Sequence, residues 1–350
     1  MAPPTPPGCP FAGYLIATFG LALALYLLRR TRLANPVLLL FTLSLCVTGF
    51  EAYYRLVYAE SEGFGRLSKN FNGRYCKLDA YGLRNSNLPL SDTRKNLVVI
   101  GDSHVFGAGL KSSAERFSEK LGAHYPDLHV INLGMPGWDT KTETAQFTKF
   151  LGHNPAPIPL VILTYFFNDI EEDVTAEDRP RMIPPMPSVK PTAIDRAFQR
   201  LSNCSRFVEH FYYRVGYPRL VRDRLDQIQL FYRDPSILAR HLASLEQFRS
   251  VVEKQYSAHF LIVTLPFLHS EELLRKNELY EPFRQALSEH GFNYVDLQPI
   301  LAQYRTKQLC VSKFDPHTNA FTNRLTADAI ISYLDAHPDH LEIRSPSPAP

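Results

Sequence analysis

Two short segments, far apart along the chain, hold the residue types that nucleophilic acyl transfer requires. Gly101-Asp102-Ser103-His104 offers a hydroxyl, and Asp315-Pro316-His317 offers an imidazole with a carboxylate two residues before it. A serine hydroxyl is a poor nucleophile until a base takes its proton, and an imidazole needs an acceptor that fixes its tautomer. In an extended segment, Asp315 and His317 can point to the same side. Taken alone, a Gly-Asp-Ser tripeptide occurs in many turns, and any one of the 12 histidines is more often a surface or core residue.

Two further segments offer hydrogen-bond donors for a developing oxyanion. The stretch 132–140 supplies glycine backbone amides, among them that of Gly137, and Asn168-Asp169 supplies a side-chain amide. Together with the amide of Ser103 these make three donors, each worth ~3 kcal/mol if it is preorganised. Each segment by itself is typical of a turn, because Asn, Asp and Gly are the usual turn residues.

All four segments lie beside predicted elements of an α/β domain. Short apolar runs predict five strands, at 97–100, 128–133, 159–165, 260–265 and 292–295. Helical patterns follow at 237–256, 278–289 and 324–334, and Ser112 and Glu115 have the spacing of a capping box. Alternating strands and helices imply a mainly parallel sheet covered on both faces. Because ligands of such sheets bind beyond the carboxyl ends of the strands, we expect the four segments to meet at that edge.

In this order the four segments resemble the motif blocks of the SGNH (GDSL-type) hydrolase superfamily. The resemblance covers about residues 81–337, and the stretch from Tyr81-Gly82-Leu83-Arg84 to Gly109 is most similar to the bacterial membrane-anchored branch. It implies a three-layer, flavodoxin-like α/β fold that needs neither a metal nor an organic cofactor. The site residues that it implies are the nucleophile Ser103, the base His317, its orienting partner Asp315, and the oxyanion donors Ser103, Gly137 and Asn168.

The sequence departs from the family pattern in three places. The last pair is Asp-x-His, where the superfamily often has Asp-x-x-His, and this spacing is similar to relatives that act on acetylated exopolysaccharides. Phe166 stands where a glycine usually precedes the asparagine, and a ring there could crowd the oxyanion hole. Thr322 stands where the family often has glycine, which we interpret as a local difference at the start of a helix.

The N-terminal region predicts a membrane anchor of two helices. Residues 11–28 form an uncharged run about long enough to cross a bilayer, and a second uncharged run, 34–50, follows Arg29, Arg30 and Arg32. Apolarity on all faces favours lipid over a pair of buried core helices. A cleaved signal peptide is less favoured, because the arginines come after the first run. The positive-inside rule then places the connecting loop in the cytoplasm and the rest of the chain outside, whereas a single span would reverse that orientation.

These patterns divide the 350 residues into four regions: a membrane anchor (1–57), a juxtamembrane stalk and lead-in (58–90), a hydrolase-type domain (91–343) and a disordered tail (344–350). The interval 171–235 has no strand pattern, and we expect either a lid over the serine or a surface excursion without a role. The composition, with 38 Lys+Arg, 35 Asp+Glu and 45% hydrophobic residues, excludes a disordered chain and a nucleic-acid binder that depends on net charge. Five cysteines without a CxxC pair exclude the common zinc motifs.

The sequence therefore favours a membrane-tethered serine esterase, with its catalytic domain outside the cytoplasm, that cleaves small acyl esters such as acetyl groups. The expected substrate is an acylated envelope glycan or glycolipid. An O-acyltransferase, in which a sugar hydroxyl replaces water, remains open as an alternative. A catalytically inactive binding or scaffold protein of the same fold is the least favoured, because serine, histidine, aspartate and asparagine are all present.

Overall fold

The protein is described by a computed structural model over residues 11–62, 66–152, 156–178, 192–215 and 217–343. The chain divides into two units. The anchor unit contains residues 1–74 and 188–223, and the sheet unit contains 75–187 and 224–350. The predicted tail at 344–350 and the proline-rich part of the insertion, 179–191, lie outside the described residues.

A five-stranded parallel sheet forms the centre of the sheet unit. Its strands are β1 (Lys95–Gly101), β2 (Leu128–Gly134), β3 (Leu160–Phe166), β4 (His259–Leu265) and β5 (Asn293–Asp296). Their order is β2-β1-β3-β4-β5, which is the order of flavodoxin-like folds. Both the predicted fold class and the five predicted strand positions are confirmed, because buried strands of a parallel sheet are continuous apolar runs.

Helices cover both faces of this sheet. α5 (Phe117–His124) and α15 (Ala320–Ala336) pack together on one side, and α6 (Thr140–Leu151) and α10 (Pro235–Tyr256) pack together on the other. The helices of the sheet unit are α4 (Ser103–Phe106), α5 (Phe117–His124), α6 (Thr140–Leu151), α10 (Pro235–Tyr256), α11 (Glu271–Arg275), α12 (Asn277–Glu289), α13 (Gln298–Leu301), α14 (Thr306–Leu309) and α15 (Ala320–Ala336). The capping box of Ser112 and Glu115 forms on a short 3-10 helix before α5.

The carboxyl edge of the sheet is level across its three neighbouring strands. Gly101 at the end of β1 pairs with Gly134 of β2 and with Thr164 of β3. A separate antiparallel hairpin, β6 (Cys310–Ser312) and β7 (Asp315–Thr318), precedes α15 and packs against α4. Three of the predicted segments follow strands that end at this edge: those with Ser103, Gly137 and Asn168. The fourth, with His317, lies on β7, which packs against α4.

The anchor unit is built from helices. α1 (Phe11–Leu28) has the predicted bounds, and α2 (Ala34–Ala52) begins at the predicted residue, ends two residues beyond the predicted Phe50 and continues as a π-helical turn, Tyr53–Val57. Both are long and apolar enough to cross a membrane. The hydroxyl of Thr18 lies 2.8 Å from that of Ser44 and 2.8 Å from that of Thr48, so α1 and α2 pack side by side.

The other helices of the anchor unit are α3 (Ser68–Tyr75, with Tyr75 in the sheet unit), α7 (Ala193–Cys204), α8 (Arg206–Val215) and the first residues of α9 (Tyr217–Arg233). Most of the described part of the insertion, 171–235, is therefore helical. Its α7 and α8 belong to the anchor unit, and α9 from Arg224 onward belongs to the sheet unit.

Candidate active site

Ser103 lies at the first turn after β1. Asp102 is the N-terminal cap of α4, and its carboxylate accepts a hydrogen bond from the backbone N–H of His104 at 2.8 Å. The side chain of Asn132 on β2 donates to the carbonyl of Val105 in α4 at 2.9 Å. At Gly134 a Cβ atom would lie 2.2 Å from the backbone nitrogen of Phe106, so only glycine permits this approach of β2 to α4. Since α4 has four residues, its dipole adds little at Ser103.

Ser103, His317 and Asp315 form one chain of hydrogen bonds. Nε2 of His317 lies 2.9 Å from Oγ of Ser103, and Nδ1 of His317 lies 2.5 Å from Oδ1 of Asp315. Asp315 and His317 are two residues apart on β7, which places both side chains on one face of the strand. The structure thus brings together the three residues of the predicted catalytic set.

The buried carboxylate of Asp315 sets the protonation of the imidazole. Burial would lower the pKa of His317, but the charge of Asp315 and its hydrogen bond to the ring outweigh burial and raise that pKa above its usual value. With Nδ1–H donating to Asp315, Nε2 of the neutral ring is left to accept the proton of Ser103. The geometry therefore suits a general base that acts on a serine hydroxyl.

The backbone at Gly109 lies close to the carboxylate of Asp315. Its φ of +79° lies in the left-handed region, and a Cβ atom there would lie 2.5 Å from Cγ2 of Val311 and 3.0 Å from Oδ2 of Asp315. The loop after α4 therefore approaches the Asp315 carboxylate closely only because residue 109 has no side chain.

The two other predicted oxyanion donors, Gly137 and Asn168, follow the neighbouring strands. Gly137 lies in the loop after β2, which begins with a hydrogen bond from the Met135 amide to the carbonyl of Gly101 at 3.2 Å. Its backbone has a φ of +82°, and its N–H donates to no carbonyl within the described part of the chain. Asn168 lies in the turn after β3, and its Oδ1 is buried without a hydrogen-bond partner among the described atoms. The N–H of Gly137 is therefore uncommitted among the described residues, as a donor reserved for a reaction intermediate would be, whereas the unpartnered atom of Asn168 is an acceptor.

A buried hydrogen-bond network fixes the position of the turn that carries Asn168. Nδ1 of His241 lies 2.9 Å from Oδ2 of Asp173, and Nε2 of the same ring lies 2.8 Å from the hydroxyl of Tyr165. That hydroxyl contacts the hydroxyl of Tyr232, which donates to the carbonyl of Phe167 at 3.0 Å. The network joins β3, α9 and α10 to the residue that precedes Asn168. The two partners of each of these hydrogen bonds are 65 to 76 positions apart in the sequence, so no local sequence pattern indicates the network.

Two histidines beside His317 were not predicted as site residues. The ring of His104 is buried, its centroid lies 5.2 Å from that of His317, and burial followed by the charge of His317 lowers its pKa well below the usual value. His269 follows β4 at the same edge, and burial, with the charge of His317 next in size, lowers its pKa to about 4. Both rings are therefore neutral near pH 7, and His317 is the histidine of this group whose pKa is raised. The position of His269 after a strand end is the pattern that could have identified it.

The departures from the family pattern have local explanations. The ring of Phe166 packs against His104, with centroids 4.7 Å apart, and edge-on against Phe267 at 5.1 Å. Thr322 is buried in the first turn of α15, where its N–H donates to the capping side chain of Asn319 at 3.0 Å. Its hydroxyl donates to the carbonyl of Leu309 at 2.7 Å. Thr322 therefore serves the start of a helix, as expected.

One group of described residues has the ligand types of a metal site: Glu172, Asp173 and His241. Asp173 and His241 are already engaged, and so is one oxygen of Glu172. Asp173 accepts from the ammonium of Lys141 at 2.5 Å and from His241 at 2.9 Å, and Glu172 accepts from the backbone N–H of Lys141 at 3.0 Å. Since a fixed ammonium repels a cation, we assign this group to the network behind β3 and not to metal binding.

Comparisons with known proteins concern the fold. No family model matches the chain, and no curated protein matches it. Among solved structures, it is similar to a lipolytic protein of the G-D-S-L family from Veillonella parvula DSM 2008, with 12% identity and a TM-score of 0.39 over 69% of this chain and 98% of that one. TesA matches with 12% identity and a TM-score of 0.41, over 69% of this chain and 99% of TesA.

A two-domain esterase (CEX) active on acetylated mannans is a third such structure. It matches with 15% identity and a TM-score of 0.41, over 73% of this chain and 53% of the esterase.

Proposed function

We propose that the chain is a membrane-anchored serine esterase with Ser103 as nucleophile, His317 as base and Asp315 as the residue that orients the imidazole. The observation that carries this proposal is the unbroken hydrogen-bond chain from Oγ of Ser103 through the imidazole to Asp315, at 2.9 and 2.5 Å. The same chain disfavours an inactive scaffold protein, because a fold that had lost its chemistry would have no reason to keep three side chains in this register.

The mechanism follows from the protonation states. Nε2 of His317 takes the proton of Ser103 while Oγ attacks the ester carbonyl, and Asp315 stabilises the imidazolium that forms. The amides of Ser103 and Gly137 and the side-chain amide of Asn168 stabilise the oxyanion. The imidazolium then protonates the leaving alcohol, and water, activated by the same imidazole, releases the acid from the acyl-enzyme.

We further propose that the acyl group is small, acetyl above all, and that the alcohol is an envelope glycan or glycolipid. The support is the resemblance to the membrane-anchored branch and the two helices α1 and α2, which would hold the enzyme at the surface where such substrates lie. An O-acyltransferase is the second candidate, because the Asp-x-His spacing is compatible with either activity. In that case a sugar hydroxyl takes the place of water in the second step.

The arginines Arg29, Arg30 and Arg32 support an anchor whose connecting loop is cytoplasmic and whose flanks are both outside. Reporter fusions at residues 31 and 60 test this topology. A cytoplasmic signal at residue 60 would refute the two-span arrangement.

The activity itself is tested with the full chain in detergent, incubated with a panel of acyl esters with and without sugar acceptors. We expect a serine-directed phosphonate to label the wild type and not Ser103→Ala. Free acid as the product identifies a hydrolase, and acylated sugar identifies a transferase. Full ester turnover by Ser103→Ala would refute the assignment, and a wild type with neither labelling nor turnover would favour the scaffold protein.

A further inference from the structure

The insertion helices α7 and α8 are fastened to the end of α2 by a buried glutamate. Glu51, in the last turn of α2, is fully buried and accepts hydrogen bonds from the backbone N–H of Arg206 at 2.9 Å and of Phe207 at 3.3 Å. Its carboxylate also accepts from the hydroxyl of Ser205 at 2.9 Å. Glu51 thus takes the place of an N-terminal cap for α8, where a negative charge is favourable.

Two more side chains of the anchor fix the junction between α7 and α8. Arg55 pairs with Glu51 at 2.6 Å and donates to the carbonyl of Cys204 at 3.1 Å. The hydroxyl of Tyr14, near the start of α1, donates to the same carbonyl at 3.1 Å. Because Tyr14 and Glu51 lie at the same end of the α1–α2 pair, the junction lies at the level where both helices would leave the bilayer.

The apolar surface of α2 continues onto α8. Phe207 stacks on Phe50 of α2 with centroids 4.9 Å apart, and Phe211 packs edge-on against Phe207 at 5.0 Å. Tyr53 follows Phe50, and aromatic residues of this kind mark the boundary between lipid and water.

Large apolar side chains on both insertion helices are exposed. On α7 these are Phe198 (46% exposed) and Leu201 (57%), three residues apart; on α8 they are Phe211 (49%) and Val215 (77%), four residues apart. These spacings place each pair on one face of its helix. The two helices also carry four arginines, at positions 196, 200, 206 and 214, against two acidic residues. An apolar stripe beside arginines is the composition of a helix that lies in a membrane interface.

We propose that α7 and α8 lie in the headgroup layer of the bilayer that α1 and α2 span, with Phe198, Leu201, Phe211 and Val215 in contact with lipid. The occupant of this surface is the membrane itself, because the stripe continues the surface of α2 that would face lipid. The inference rests on the membrane anchor of the proposed function and goes beyond it. It also gives this part of the insertion a role other than that of a lid over the serine.

Tryptophan quenching tests the proposal with the full chain in nanodiscs. The chain has one tryptophan, so Trp138→Phe provides a background in which single tryptophans replace Leu201, Phe211 or Leu23. Leu23 lies exposed in the middle of α1 and reports on the anchor. The control is Gln199→Trp, which is exposed on α7 about 100° from Phe198 and about 160° from Leu201 around the helix. Far-UV circular dichroism and thermal unfolding of each variant verify that it has folded, whether or not the chain is an active esterase.

Lipids brominated near the headgroup should quench the probes at residues 201 and 211 at least about twofold more strongly than the probe at 199, and lipids brominated deep in the chain should quench the probe at 23. Quenching at 23 without an excess at 201 and 211 would overturn the interfacial position and leave the anchor intact. Blue-shifted but unquenched probes at 201 and 211 would mean that protein, such as a second copy of the chain, covers this surface, which also overturns the proposal. An unquenched probe at 23 would refute the anchor, and this inference with it.

Discussion

Replacing Gly109 by alanine tests whether the position of Asp315 controls the reactivity of Ser103. The substitution leaves every side chain of the hydrogen-bond chain in place. Its Cβ would lie 2.5 Å from Val311 and 3.0 Å from Oδ2 of Asp315, and φ at this position is +79°. Gly82→Ala is a matched control, because Gly82 has a φ of +77° and nothing within 4 Å of its would-be Cβ.

The two variants share one cost and differ in another. Placing an alanine in the left-handed region costs about 1–2 kcal/mol, and this is the whole loss of unfolding free energy expected for Gly82→Ala. Gly109→Ala adds an overpacking cost of about 1–3 kcal/mol, since Val311 must move by most of an ångström. The difference between the two variants therefore isolates the contact with Val311 and Asp315.

The effect on catalysis should be larger than the effect on stability. Displacing Asp315 lengthens its 2.5 Å contact with His317, and misplacement of about 1 Å costs roughly 10²-fold in rate. We therefore expect Gly109→Ala to lower kcat by roughly 10²-fold while Gly82→Ala keeps wild-type turnover. Turnover of an acyl ester and thermal unfolding are measured side by side for both variants.

A particular result would refute this reasoning. If Gly109→Ala unfolds at a lower temperature than Gly82→Ala but retains kcat and the wild-type pH profile, the contact with Asp315 has no part in catalysis. If the two variants have the same unfolding free energy, the close contact at Gly109 is relieved without a cost in stability, and the predicted overpacking cost is wrong.

Three other changes have defined outcomes. Asn168→Ala should lower kcat by roughly 10²-fold and leave KM nearly unchanged, because an oxyanion donor acts mainly in the transition state; equal losses in binding would contradict that role. Activity needs neutral His317, and Asp315 raises the pKa of this histidine. The rate should therefore fall with decreasing pH from a point above the ordinary histidine pKa of ~6.5, and Asp315→Asn should move this acidic limb of the pH–rate profile to lower pH. Tyr232→Phe removes the hydroxyl that donates to the carbonyl of Phe167, the residue before Asn168. It should cost about 1 kcal/mol of unfolding free energy with a small loss of kcat, and an unchanged unfolding temperature would show that this hydrogen bond does not stabilise the turn.

The elements that the sequence predicted well are those with a local cause. α1 begins and ends at the predicted residues, Phe11 and Leu28, because an uninterrupted apolar run needs no partner to be recognised. The five strands were found within about two residues at each end for the same reason. The meeting of Ser103 with His317, 214 positions apart, was predicted from the expectation that both segments adjoin one edge of a parallel sheet, and their roles from the resemblance to the SGNH motif blocks.

The elements that sequence reasoning missed depend on distant partners. In the sequence, Glu51 is simply the first charged residue after a predicted membrane helix. Its carboxylate accepts hydrogen bonds from Ser205 and from Arg206 at the start of α8, more than 150 positions later. The network of Tyr165, Tyr232 and His241 likewise joins residues whose local patterns are those of an ordinary strand and two ordinary helices. The helices of the insertion were not predicted either, although their apolar residues recur at helical spacing: the prediction for this interval was a lid over the serine or a surface excursion, without helix bounds.

Two carboxylates lie beside the serine, and the geometry separates their roles. The hydroxyl of Ser103 has one proton to donate, and Nε2 of His317 lies at 2.9 Å whereas Oδ2 of Asp102 lies at 3.3 Å. Burial raises the pKa of Asp102, and its other oxygen is engaged by the N–H of His104. The shorter contact and the raised pKa of His317 both direct the serine proton to the imidazole. Asp102 therefore shapes the turn that presents Ser103, and Asp315, which contacts the imidazole itself, orients the ring and stabilises the imidazolium without taking a proton.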